Sequence, residues 1–222
     1  MRKIILGSLK NDSERTKQIR KAYRKARAKI IREFDLSNFD YDVVFASWRD
    51  SGEYGFWWYI DFGYIRLNIG VDKILFQNAL YEGICEGFSH NFVADSTDFN
   101  NGFSKKIIRN AYAADFLGWK YEEKYSLDNL SEDNLLKIKD ALNGKIDEDW
   151  LWSRHNGWHF YGFSKKYFES LGISRKDILK LKENEFNMEL ISKIEKLLED
   201  YRKSKFEWNF WVRDLWRNPE NI

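Results

Sequence analysis

The chain has 222 residues, of which 43% are hydrophobic, 32% are charged and 18% are aromatic. This composition is typical of a globular protein with a sizeable core, and it excludes a disordered chain. Cys85 is the single cysteine, which excludes an internal disulfide and predicts a reducing, cytoplasmic setting. No apolar run reaches the roughly 20 residues of a membrane span, and no secretory signal is visible, so we expect no membrane contact.

The charge is unevenly distributed along the chain, although the net charge is only +2. Residues 1–34 contain twelve Lys and Arg but three Asp and Glu, which makes this segment +9 and the remainder −7. Such a split predicts an anionic partner for the N-terminal segment, either nucleic acid or an acidic protein. The alternative is that the basic segment packs against the acidic surface of its own chain.

A basic amphipathic helix is predicted over residues 13–34. Its apolar residues recur at steps of three or four and share one face, namely Ile19, Tyr23, Ala26, Ile30 and Phe34. The opposite face carries Arg20, Lys21, Arg24, Lys25, Arg27, Lys29 and Arg32. Because clustered cations neutralise phosphates, the candidate partner-binding residues are Arg20, Arg24, Lys25, Arg27 and Arg32. Exposed aromatic side chains would add stacking on bases.

A small antiparallel sheet is predicted over residues 41–69. Residues 41–48 are rich in β-branched and aromatic types, and residues 56–69 alternate and turn near 61–63. The rest of the pattern is helical. We therefore predict an α+β fold, a mostly helical single domain over 1–222 with a small antiparallel sheet packed against helices.

Further helices are predicted over 73–92, 105–117, 128–142, 164–171, 175–182 and 188–211. The predicted N-caps include Ser104, Ser131, Ser164 and Ser174, and the predicted helix ends include Gly118, Gly144 and Gly172. The pentapeptide GFSKK occurs twice, at 102–106 and 162–166, without a longer repeat around it.

Two sets of possible metal ligands repeat at a spacing of four. Glu82, Glu86 and His90 would lie on one face of the helix over 79–92, and His155 and His159 are the two remaining histidines. Imidazole and carboxylate bind Zn or another divalent metal, and ligands four apart on a helix can share one ion. If the two sets meet, the metal ligands are His90, His155, His159 and Glu86, with Glu82 as the base for a bound water. The alternative is that these histidines pack among aromatic side chains and the glutamates pair with Lys or Arg.

Other enzyme motifs give little support. Cys85 falls on the opposite side of its helix from Glu82 and Glu86, among apolar residues, which favours burial over a role as nucleophile. The sequence contains no phosphate-binding glycine loop, no dinucleotide fingerprint and no GxSxG elbow. These absences argue against a nucleotide-driven motor and a dehydrogenase.

The order of segments resembles the zincin-like domains of predicted zinc-dependent proteases. The sequence EGICEGF at 82–88 is similar to their EGxAExF helix, and the segments at 130–142, 150–152 and 164–171 are similar to those that follow it. The family's HExxH motif is missing, and HNGWH at 155–159 keeps the histidine spacing but places Asn156 where the family has its catalytic glutamate. The resemblance implies a degenerate relative without the family's catalytic residues.

The sequence therefore predicts a metal-dependent, hydrolase-like domain, active or inactive. The alternative is a non-enzymatic binding protein that engages nucleic acid or a protein partner through its basic N-terminal helix and exposed aromatics.

Overall fold

The computed structural model describes residues 4–5, 13–34, 42–47, 57–61, 64–69, 76–146 and 157–217. Side chains are described for 17–18, 20–34, 81–146 and 160–205. The chain forms two compact units, one of Met1–Asp95 with Tyr112–Trp119 and the other of Ser96–Ala111 with Lys120–Ile222. The single-domain prediction over 1–222 stays a prediction.

The predicted α+β fold is wrong. Where side chains are described, 81% of the residues are helical and none lies in a strand. The apolar residues of this part recur at the helical spacing of three to four, as in Ala22, Ala26 and Ile30, so that helices bury them against one another. The fold is therefore predominantly helical.

The strands recorded on the N-terminal side are β1 (Ile4–Ile5), β2 (Asp42–Ser47), β3 (Trp57–Asp61) and β4 (Tyr64–Ile69). Their order is β1-β2-β4-β3. β2 pairs in parallel with both β1 and β4, whereas β3 and β4 pair antiparallel. The predicted antiparallel hairpin of β3 and β4 is confirmed, but the predicted antiparallel sheet is wrong at β2, because alternation along a strand sets its two faces but not the direction of its neighbour.

The first unit contains α1 (Ser13–Phe34), α2 (Phe76–Ser96) and the C-terminal end of α3 (Gly102–Leu117). The prediction of a helix over 13–34 is confirmed, and α2 begins later and extends further than the predicted 73–92. Phe34, at the end of α1, joins these helices through its ring. Its centroid lies 5.0 Å from that of Phe88, 4.7 Å from that of Phe92 and 5.2 Å from that of Phe116.

The second unit contains the first part of α3, two 3₁₀ turns at Glu123–Tyr125 and Leu127–Asn129, and four more helices. These are α4 (Glu132–Leu142), α5 (Gly157–Ser170), α6 (Arg175–Ile178) and α7 (Glu183–Arg217). The hydroxyl of Tyr201 on α7 donates to the carbonyl oxygen of Leu130 at 2.8 Å. Lys139 of α4 and Glu195 of α7 form an ion pair at 2.6 Å.

Two of the predicted serine caps are confirmed. The side chain of Ser131 accepts from the backbone N–H of Asn134 at the start of α4, and Ser174 does the same for Asp177 at the start of α6. The predicted ends of α3, α4 and α5 are confirmed too. They are followed by glycines with positive φ of 73°, 68° and 63°, namely Gly118, Gly144 and Gly172.

The other two predicted caps are wrong, because both helices begin earlier than the serines. Asn101 caps α3, and its Oδ1 accepts from the backbone N–H groups of Phe103 and Ser104 at 3.0 and 3.1 Å. Ser164 lies in the middle of α5, where its hydroxyl donates to the carbonyl oxygen of Phe160 at 2.8 Å. Both serines are fully buried, so their hydroxyls are satisfied inside the helical core.

Candidate functional site

Helix α1 has one buried and one charged face. Ala22, Ala26 and Ile30 are buried at successive steps of four, which fixes the orientation of the helix on its unit. The far face carries seven exposed cations, which are Lys17, Arg20, Lys21, Arg24, Lys25, Arg27 and Arg32. All five residues predicted to bind a partner are therefore on the exposed side of the helix.

Four of these cations form a compact group, which we call the basic face: Arg20, Lys21, Arg24 and Arg27. At about 100° per residue they span roughly 120° of the helix circumference. None of them makes a hydrogen bond, an ion pair or a ring contact with any residue that the structure describes. Within the described residues the basic face is therefore not neutralised by its own chain, whereas Lys29 and Arg32 of the same helix each lie 3.8 Å from Glu33.

Exposed lysines elsewhere in the chain are often paired with acids. Lys137 lies 2.6 Å from Asp133 on α4, and Lys203 lies 2.7 Å from Glu199 on α7, both one helical turn apart. Such surface pairs contribute little free energy but do neutralise a local charge. In the sequence, no Asp or Glu stands three or four residues from any cation of the basic face, so the positive charge of this face accumulates.

Two lysines at the edge of this exposed side contact aromatic rings instead of acids. The ammonium group of Lys25 lies 4.3 Å from the ring centroid of Tyr81, and that of Lys29 lies 4.8 Å from the ring centroid of Phe116. Lys29 is half-buried, so its predicted place on the exposed face is wrong. Arg32 is 3.8 Å from Glu33, yet its side chain remains 76% exposed.

Cys85 of α2 lies between this edge and the core. It is fully buried, and its thiol lies next to the side chain of Tyr81. Burial raises the pKa of the Cys85 thiol to about 12. Because only the thiolate is nucleophilic, this cysteine is inert at neutral pH, and its predicted burial is confirmed.

The proposed metal ligands on α2 run from the surface into the core. Glu82 is exposed, although partial burial raises its pKa against the opposing charge of Lys25. Glu86 is half-buried, and His90 is 2% exposed. Within the described residues, no group of three His, Cys, Asp or Glu side chains converges to bind a metal ion.

The structure does not describe the side chains of the other two histidines. His155 is outside the described residues, and His159 belongs to α5 but its side chain is not described. The predicted meeting of these histidines with Glu86 and His90 therefore stays a prediction, and the geometry of the described side chains gives it no support.

A cavity of about 560 Å³ lies in the second unit between residues 96–100 and 179–185. Glu183 lines it, but its two carboxylate oxygens already accept from the backbone N–H groups of Asn100, at 2.8 Å, and Asn101. Lys180 pairs with Asp177 at 2.7 Å. Glu183 thus holds two segments of the chain together, whereas Lys180 pairs within its own segment.

No protein-family model, curated protein or solved structure matches the chain. The zincin-like resemblance accordingly stays a prediction. Among the described helices, none combines the length and the apolar character needed to cross a membrane. The described side chains are therefore the guide to function, and the most distinctive group among them is the unpaired cations of the basic face of α1.

Sequence reasoning identified this helix but not its full set of contacts. Lys21 lies within the basic face although it was not among the residues predicted to bind a partner. Tyr81, which contacts both Lys25 and Cys85, was missed as well. The spacing of four between Tyr81 and Cys85 on one helix was the available sign that the two side chains meet.

Proposed function

We propose that this chain is a non-enzymatic nucleic-acid-binding protein that contacts the phosphate backbone through helix α1. The observation that carries the proposal is the group of four exposed cations, Arg20, Lys21, Arg24 and Arg27, none with a partner in the described part of the chain. Cations gathered on one surface neutralise successive phosphates and release their counterions.

The grouping of the four cations on one helix supports this function more strongly than their exposure to solvent does. Exposed lysines without a described partner also occur at Lys120, Lys176 and Lys196. Successive members of this set are at least 20 residues apart in the sequence. The basic face instead places four cations within two turns of one helix, where their potentials add.

The composition of the face favours nucleic acid over an acidic protein. Three of its four cations are arginines, whose planar guanidinium binds phosphate and carboxylate alike through two parallel hydrogen bonds, so the apolar residues of the face decide between the two partners. The apolar residues on the same arc are Ala28, which is exposed, and Ile31, which is half-buried. A protein interface would need a larger apolar or aromatic centre.

The test is a binding titration in which the basic face is removed. We expect the wild-type chain to bind a labelled DNA duplex of about 20 base pairs, with an affinity that falls steeply as salt rises. The variant Arg20→Ala/Arg24→Ala/Arg27→Ala should reduce the slope of log K against log[salt] by about 2 to 3, at roughly 0.9 per lost phosphate contact. Fluorescence anisotropy over a range of KCl concentrations measures both quantities.

The matched control is Lys120→Ala/Lys176→Ala/Lys196→Ala, which removes the same charge from exposed positions outside α1. It should keep the wild-type slope within about one unit. An equal loss in both variants would show a non-specific charge effect and contradict the proposal. Polyglutamate bound as tightly as DNA would point instead to an acidic protein partner, and the absence of any nucleic-acid binding at low salt would end the proposal.

A further inference from the structure

The exposed cations of α1 include one row on each flank of the helix, with further cations on the strip between the two rows. At about 100° per residue, Arg20 and Arg27 lie within roughly 20° of each other on one flank. Lys21 and Arg32 lie within about 20° of each other on the opposite flank, at least roughly 100° away. The strip between the two rows holds Lys17, Arg24, Ala28 and Ile31, of which Ile31 is half-buried and the others are exposed.

Two rows of cations match the two phosphate ridges that border a groove of a duplex. The major groove of B-form DNA is about 12 Å wide and admits a helix with a diameter of about 10 to 12 Å. A helix lying there presents its flanks to the phosphates of opposite strands and its central strip to the base edges. The small side chain of Ala28 permits a close approach along that strip, and Arg24 is placed to reach a base edge.

The helix is also rigid. α1 has 22 residues, about 33 Å in length, and its buried face is fixed by Ala26 and Ile30, both fully buried. Phe34 anchors its end among three aromatic rings. Cations held on such an element keep a constant spacing, and a duplex offers phosphates at a constant spacing too, whereas a single strand is flexible.

The described surface offers no stacking platform for a single strand. Proteins that bind single strands without sequence preference stack the bases on exposed aromatic side chains. Every aromatic residue with a described side chain is buried or half-buried, including Tyr23 on the basic helix and Tyr81 beside it. The exposed aromatics predicted from the sequence are therefore absent from the described part of the chain.

We propose that the preferred ligand is B-form duplex DNA with α1 in its major groove. The inference rests on the proposed function and adds the form of the nucleic acid and the groove. An RNA duplex is a poorer ligand because its A-form major groove is deep and too narrow for a helix.

The experiment compares a DNA duplex, an RNA duplex of the same sequence and the single DNA strand, each of about 20 positions, by anisotropy at one salt concentration. We expect the DNA duplex to bind at least about tenfold more tightly than either competitor. A major-groove dye such as methyl green should be displaced by the protein, and a minor-groove ligand such as netropsin should not.

The variant Ala28→Trp separates groove entry from simple attraction, because it leaves the charge unchanged and places a large ring on the central strip. We expect it to lower affinity for the DNA duplex by about tenfold or more and to leave or raise affinity for the single strand. Ala28 is exposed, so the fold should tolerate the ring, and circular dichroism checks this.

The outcomes distinguish the two proposals. If no nucleic acid binds, the proposed function itself is wrong. If nucleic acid binds but the single strand or the RNA duplex binds as tightly as the DNA duplex, the function stands and the inference about the major groove is overturned. Displacement of netropsin but not methyl green, or full duplex affinity in Ala28→Trp, would overturn it as well.

Discussion

Gly162 lies inside α5 with its backbone against two tyrosine rings. A Cβ placed there would be 2.6 Å from Cγ of Tyr125 and 3.0 Å from Cδ1 of Tyr121. Atoms do not approach so closely, so either the rings or the helix must shift. We expect Gly162→Ala to lower the free energy of unfolding by about 1 to 3 kcal/mol, as in other overpacked cores.

Urea unfolding followed by circular dichroism measures this change. The control is Glu169→Ala on the same helix, where the side chain is exposed and the effect should stay within about 0.5 kcal/mol. A Gly162→Ala variant as stable as the wild type would show that the rings move without cost, and would contradict the close packing.

The thiol of Cys85 gives a prediction about pH. Its pKa of about 12 exceeds the value near 8.5 of an unfolded cysteine, so between these values the folded chain holds a proton that the unfolded chain has released. The contribution of the Cys85 thiol to the free energy of unfolding is therefore largest below about pH 8, and it decreases as the pH rises. By pH 10 the loss should be about 2 kcal/mol.

The free energy of unfolding, obtained from urea unfolding at pH 7.5 and at pH 10, measures this loss. Cys85→Ala removes the titrating group and should lose distinctly less stability over the same interval. Burial also raises the pKa of Tyr81 to about 12, so both chains keep a further loss in more alkaline solution. Equal losses in both chains would contradict the assignment to Cys85.

At the scale of elements, the start of α3 depends on Asn101. Its Oδ1 accepts from two backbone N–H groups, and its Nδ2 donates to the carbonyl oxygen of Leu142 at 3.2 Å. We expect Asn101→Ala to cost about 1 to 2 kcal/mol, the usual range for a lost N-cap. Asn101→Asp keeps the accepting oxygen and should recover part of that stability. Thermal unfolding of the two variants measures the difference, and equal destabilisation would show that the bond to Leu142 dominates.

The caps also show what the sequence can predict about an element. Ser131 and Ser174 were predicted correctly because each directly precedes a polar first turn that contains an acidic residue. Ser104 was mistaken for a cap because Asn101, three residues earlier, is an equally good one. Ser164 was mistaken because α5 begins at Gly157, and the cost of a glycine is overcome when its helix buries aromatic residues such as Phe160 and Phe163.

At the scale of the whole molecule, helical periodicity was predicted well, whereas strand pairing was predicted correctly only for the local hairpin of β3 and β4. Apolar residues three and four apart identify a buried helix face from local sequence alone, as for α1. The pairing of β2 with β4 joins strands separated by β3, and neither strand encodes its partner. The α+β prediction failed at this level.

The same distinction holds for the candidate sites. The basic face was predictable because all its residues lie on one helix and their exposure follows from the amphipathic pattern. The predicted metal site required residues far apart in sequence to meet, from Glu82 to His159, and spacing within each segment carries no information about that meeting. Hence the described geometry supports the local prediction and leaves the non-local one without support.

The two faces of α1 share no residue, and this separation has an evolutionary consequence. Ala22, Ala26 and Ile30 are constrained by the packing of the first unit. By contrast, Arg20, Arg24 and Arg27 form no hydrogen bond, ion pair or ring contact with any described residue. Substitutions on the outer side can therefore accumulate without a penalty in folding. A lineage could alter, strengthen or abolish what this helix binds while inheriting the same architecture, so the binding specificity of the molecule is freer to diverge than its core.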